Sequence, residues 1–167
     1  MAERGRDQLI AWLDDAYAME SGLVNILDAH ASHFNHNPEA ASRIQAHVSE
    51  TLRHAQRLEE CLRALGTTPS SVKSTLSSVI GTVEGSSTAI FRDQLVKDVL
   101  ADYASEQFEV ACYTALIRLA NDLQYPQVAK LCDENLREDK AMADWLLRQI
   151  PDVVRIDASP SAYGPAA

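Results

Sequence analysis

At 167 residues, 46% hydrophobic and 23% charged, the chain has globular composition and length enough for one domain with a buried core. A formal net charge of −9 argues against a nucleic-acid partner, which draws on clustered Lys and Arg. No apolar run approaches the roughly 18 residues of a membrane span, and the opening MAERGRDQLIAWLDD holds no signal-peptide pattern, so a cytoplasmic protein without membrane attachment is expected.

The first helix is expected from about Arg4 to His33, where Leu9, Leu13, Tyr17, Val24, Leu27 and Phe34 trace one face. Asn35-His36-Asn37-Pro38 reads as a stop and restart, its proline suited to the first turn of the next helix. The second helix covers about Pro38 to Leu65, with Ile44, Val48, Leu58 and Leu62 apolar, and Gly66 closes it. Residues 67 to 91 are rich in Ser, Thr and Gly, with enough Val, Leu and Ile for one short helix near Ser70 to Val83. A connection this long fits a crossover between opposite ends of a bundle. The third helix is expected from about Asp93 to Asp122, bearing Leu95, Val99, Leu100, Val110, Ile117 and Leu119. A turn at Gln124-Tyr125-Pro126 leads to the fourth, about Gln127 to Ile150, with Val128, Leu131, Leu136, Met142, Trp145 and Leu146, and Pro151 is expected to end it.

The expected bundle is thus residues 1–151, and residues 152–167, with Pro160 and Pro165, form an expected disordered tail. No run alternates with period two. The expected fold is all-α, a ferritin-like four-helix bundle of two helical hairpins joined by a long crossover. Cys61, Cys112 and Cys132 form no Cys-x-x-Cys pair and read as small core residues in a reducing compartment.

Several polar residues lie on the apolar stripes. Glu20 shares the face of Val24 and Leu27. His47, Glu50 and His54 stack at spacings of three and four, on a side continued by Leu58 and Cys61. Glu106 and Glu109 line the third helix, with Asp102 and Tyr113 extending the row, and Glu138 shares a face with Leu131, Met142 and Trp145. One such glutamate alone is an ordinary solvated residue; four on four stripes point inward together. Glu20 to Glu50 and Glu109 to Glu138 span nearly equal lengths of chain, which sets the carboxylates of two hairpins at matching depth. Burying them unpaired costs several kcal/mol or more, and Lys and Arg on these faces are too few to pair them all. Two divalent cations would offset that cost, and hard oxygen donors with one imidazole suit iron or manganese. His54 is the better histidine ligand, with His47 supporting the ligands. His30, His33 and His36 are expected to meet the terminal carbonyls of the first helix, and Asp14 and Asp15 to face solvent.

Four stretches carry a family resemblance: Asp15 to Glu20 (DAYAME), His47 to Thr51 (HVSET), Tyr103 to Thr114 (YASEQFEVACYT) and Glu138 to Leu146 (EDKAMADWL). A further match runs from Ser71-Val72-Lys73 to Phe91. With these the chain resembles the ferritin-like family of bacterial stress-response proteins that includes YciE and YciF, nearer the YciE branch. The resemblance spans about residues 8 to 151. It implies a ferritin-like bundle, a homodimer, a stress-response role and a di-metal site held by Glu20, Glu50, Glu106, Glu109 and Glu138, with His54 as a sixth ligand. The pattern departs from the usual ferritin-like site, where Glu-x-x-His recurs on the second and fourth helices. Arg53 stands three after Glu50, and Ala141 and Met142 stand three and four after Glu138. The site is carboxylate-rich and histidine-poor, which leaves open both a di-metal oxidoreductase and a non-catalytic structural or interaction protein on the same scaffold.

Overall fold

Four helices make up the described residues (2–34, 37–70 and 93–157) of the computed structural model: α1 (Ala2–His33), α2 (Pro38–Ala64), α3 (Gln94–Asp122) and α4 (Pro126–Asp157). No strand occurs among the described residues. Asn37 caps α2, its side chain accepting from the Ala40 N–H at 3.1 Å, and Pro38 occupies the first turn, where a missing N–H costs nothing. At the other end Gly66 takes φ 75°, and the Thr67 N–H donates back to Leu62 O while that of Gly66 reaches Arg63 O. This double bond-back with a left-handed residue is a Schellman stop. The α3–α4 turn repeats it with Gln124 at φ 63° and the Tyr125 N–H on Ala120 O.

Short turns make α1–α2 and α3–α4 antiparallel hairpins, and contacts between the hairpins fix how they face one another. Gly5 lies against Leu123, so closely that a Cβ there would come within 2.7 Å of its Cδ2. Tyr113 reaches Glu20, and His30 meets Asp102, so α1 and α3 also run antiparallel. Arg6 donates to Leu65 O, placing the end of α2 at the Leu123 end of the bundle, whereas α3 begins beside His33 at the opposite end. The chain leaves α2 at one end and enters α3 at the other, which is the crossover connectivity of a ferritin-like bundle. The expected short helix near 70–83 lies outside the described residues, as do His36 and the tail from 158.

Pro151 does not end α4. The helix continues to Asp157. A proline inside a helix forfeits a hydrogen bond and crowds the preceding turn, at about 3 kcal/mol. Beyond it, Val153 is buried beside Val96, Val99, Leu100 and Ile150, and the burial of such a side chain is worth about 1.5–3 kcal/mol. That contact holds the last turns in place.

The apolar core is in two parts. One, around Leu9, Leu13, Leu62, Leu116 and Val128, fills the end near Leu123. The other, around Leu27, Phe34, Ile44, Val99 and Leu146, fills the end near His33. On α1 the first part runs to Ala16 and the second starts at Met19, with buried Glu20 next in line. A polar layer at mid-bundle separates them.

Candidate metal centre

Each helix contributes to this layer through the line of residues it turns inward. On α1 the residue is Glu20; on α3, Glu106 and Glu109; all three are buried. On α2 the buried line is His47, Thr51, His54, Leu58, and on α4 it is Cys132, Asn135, Asp139, Met142, Leu146. Glu20, His54 and Asp139 each present one ligand atom within 4.8 Å of the other two, and so do Glu106, Glu109 and Asp139. Asp139 belongs to both groups. Four carboxylates and an imidazole therefore converge in the centre of the bundle.

Of the six residues expected from the sequence, Glu20, His54, Glu106 and Glu109 are brought together here. Glu50 and Glu138 lie at the flanks, their side chains 22% and 28% exposed, and neither is in a converging group. Glu138 is gripped by Arg57 through two hydrogen bonds of 3.0 Å, and it receives His54 Nε2 at 2.7 Å. Burial pushes its carboxyl up, but Arg57 and His54 outweigh that and hold it below the usual range. With the Nε2–H turned to Glu138, His54 presents the Nδ1 lone pair inward, 3.4 Å from Glu20 Oε1 and 3.3 Å from Asp139 Oδ1. Glu50 is held by Arg43 at 3.2 Å and by His47 Nδ1 at 2.8 Å. Burial opposes its ionisation, yet those two cations bring it to about 2. The other ring nitrogen of His47 lies 2.7 Å from Glu106 Oε1, so His47 ties the flank to the centre. Although burial pushes its pKa down, the Glu106 and Glu50 carboxylates raise it to about 10.

Asp139, Asn135 and Arg57 belong to the site but stand outside the residues expected from the sequence, and Tyr113, on the expected row of α3, supports the ligands. Asp139 has a legible signal: it lies seven after Cys132, three before Met142 and seven before Leu146, whereas Glu138 faces half outward. Tyr113 donates to Glu20 Oε1, and Asn135 Nδ2 donates to the Tyr113 hydroxyl at 2.8 Å while Arg57 holds Asn135 Oδ1 at the same distance. On α2, Thr51 stands three before His54, where the usual ferritin-like motif has a glutamate.

The donor set suits hard divalent cations. Glu20 Oε2, His54 Nδ1, Glu106 Oε2, Glu109 Oε1 and both Asp139 carboxylate oxygens are buried without a hydrogen-bond partner. Among the described residues, Asp102 Oδ2 alone joins them in that state. Buried polar atoms are nearly always satisfied, so a concentration of orphaned acceptors at one point marks a place built for a cation. Burial, and then the neighbouring carboxylates, push Glu109 and Asp139 well above the usual range.

A second polar cluster lies nearer the start of α3. His30 Nδ1 is 2.7 Å from Asp102 Oδ1, and His33 Nδ1 is 2.5 Å from Asp98 Oδ2. Both histidines, expected at the terminal carbonyls of α1, reach carboxylates of α3, because α1 and α3 run side by side and an imidazole bonds more strongly to a carboxylate than to a carbonyl.

Similarity to known proteins bears on this arrangement. A family model described as "Domain of unknown function (DUF892)" matches residues 4–159. A protein of known structure from Xanthomonas campestris is 31% identical over 92% of this chain and 94% of its own, with a TM-score of 0.78. The Escherichia coli stress protein YciF is 23% identical over 93% of this chain and 98% of its own, with a TM-score of 0.76. A bacterioferritin from Desulfovibrio desulfuricans, described with a diiron site, is 18% identical over 100% of this chain and 96% of its own, with a TM-score of 0.70. At that identity the likeness establishes a shared bundle fold. No helix among the described residues is long and apolar enough to cross a membrane.

Proposed function

We propose that this chain, which belongs to the DUF892 family, holds two divalent metal ions, iron or manganese, in the core of its bundle and handles metal or peroxide in a stress response. The observation that carries this reading is the convergence of Glu20, His54, Glu106, Glu109 and Asp139 with their orphaned buried donors. The stress-protein name of YciF and the diiron site of the bacterioferritin lend it support by analogy. The motif stretches lean to the YciE side of that family.

Glu20 and His54 would hold one ion and Glu106 and Glu109 the other, with Asp139 shared between them. When bound, such ions supply Lewis acidity and one-electron chemistry. The chain's own part is to order the donors and to exclude bulk water. Arg57 fixes Glu138, which fixes the ring of His54; Tyr113 fixes one oxygen of Glu20 and leaves the other available. The two apolar core regions close the layer from both ends.

Elemental analysis of protein purified from iron- and manganese-supplemented cells tests the reading. About two transition-metal ions per chain are expected, one for each converging group. A preparation carrying no stoichiometric metal would overturn it. The positioning role of Glu138 has its own check. Glu138→Gln leaves the inner donors intact but weakens the anchor of His54, so metal affinity should fall about 10–100-fold in chelator competition. An unchanged affinity would remove Glu138 from the account.

A further inference from the structure

The centre is buried, so cations must reach it through the bundle, and three polar approaches are formed by the described residues. Two are guarded. Glu50 leads to His47 and Glu106 but carries Arg43, and Glu138 leads to His54 but carries Arg57. A guanidinium does not deprotonate in proteins, so each of these entrances presents a permanent positive charge to an incoming cation.

The third approach follows α3. Asp98, Asp102 and Glu106 are spaced four apart, so they stack on one side of the helix with a rise of about 6 Å per step. Asp98 and Asp102 are 2% and 3% exposed, and His33, bonded to Asp98, opens to solvent at 42%. Among the described residues, every basic group contacting either aspartate is a histidine, and the other partner is the neutral amide of Gln94, 2.7 Å from Asp98 Oδ1. Asp102 Oδ2 is buried and has no hydrogen-bond partner, the same condition that marks the oxygens of the centre itself. A carboxylate oxygen left free between the surface and the site is what a passing cation needs.

We propose that divalent cations enter beside His33 and reach the centre along α3, with Asp98 and Asp102 as transit ligands before Glu106. The inference rests on the two-metal reading above. Filling rates and filling endpoints separate the two. Metal-free protein is mixed with Co²⁺ in a stopped-flow spectrometer, the visible absorbance giving the rate and its plateau the stoichiometry. Asp102→Asn should slow filling about tenfold while reaching the wild-type plateau. Gln94→Arg sets a permanent charge beside Asp98 at an exposed position without touching the core, and should slow filling to a similar degree. Gln127→Arg adds the same charge at the opposite end of the bundle and should leave the rate unchanged. If Asp102→Asn fails to fold, as judged by circular dichroism, the arginine pair decides alone. Wild-type rates in Asp102→Asn and Gln94→Arg, or equal slowing by Gln94→Arg and Gln127→Arg, would overturn the route. A wild-type protein that takes up no Co²⁺ would overturn the two-metal reading and the route with it.

Discussion

Saturating metal-free protein with Mn²⁺ is expected to raise its melting temperature by at least about 15 °C, and EDTA is expected to reverse the gain. A ligand present at a thousand times its dissociation constant stabilises the folded state by about 4 kcal/mol per site, provided the unfolded chain does not bind it. Two sites give about 8 kcal/mol, and for a chain of this length each kcal/mol moves the midpoint by about 2–4 °C. The gain should also grow with pH. Without metal, burial and then Glu20 push Glu109 and Asp139 well above their ordinary 4.5 and 3.8. The folded chain therefore holds more protons than the unfolded one, and stability falls as pH rises from the ordinary carboxylate values. His47, raised to about 10, works in the same direction: its contribution is full below 6.5 and lost as pH approaches 10. Bound cations take the place of those protons, so the metal-induced shift should be larger at pH 8 than at pH 6. Circular-dichroism melts with and without metal at the two pH values measure it. A midpoint indifferent to both metal and EDTA would leave a bundle whose acidic layer holds nothing.

The fold could be read from the chain because each helix carries its own punctuation. Asn37-Pro38, Gly66 and the Gln124-Tyr125-Pro126 turn mark their boundaries through local hydrogen bonding alone. Pro151 misled because its cost is local whereas its compensation, Val153 against Val96 and Val99, is tertiary. The same division runs through the site. Periodicity locates an inward line to within about a quarter-turn, since adjacent residues of a helix differ by 100°. Glu20, Glu106 and Glu109 fall clearly on theirs. Glu138 and Asp139 are neighbours that both carry carboxylates, and each shares apolar neighbours at helical spacing; the line through Cys132, Met142 and Leu146 favours Asp139, and the packing of α4 turns it to the centre and leaves Glu138 to Arg57. Glu50 is one residue before Thr51, which takes the inward position. The histidines of α1 were harder still, because their partners are set by the antiparallel register of α1 on α3, a tertiary relation with no local signature.

Asp139→Asn is expected to act with opposite sign in the two states of the protein, and this separates a metal centre from a buried acidic layer retained for structure. Asp139 is fully buried, and burial followed by the charges of Glu20 and Glu106 disfavours its ionisation. Asparagine keeps the shape and removes the titrating group. At pH 8 the metal-free variant should gain unfolding free energy, because the unfolded chain ionises this carboxyl freely whereas burial and the neighbouring carboxylates oppose its ionisation in the folded chain. The metal-loaded variant should lose more than it gains. Asp139 lies in both converging groups, so its charge is lost to both ions, and the melting-temperature rise produced by Mn²⁺ should shrink to a few degrees. Glu50→Gln is the matched control. It removes a carboxylate from the same layer, but one already engaged by Arg43 and His47 and outside both groups, so metal stoichiometry should persist. Denaturation and elemental analysis on the same preparations read both signs. A structural role would show Asp139→Asn stabilising equally with and without metal. Loss of metal from Glu50→Gln with retention in Asp139→Asn would instead put the ligand at the flank, where Glu50 reaches the centre through His47.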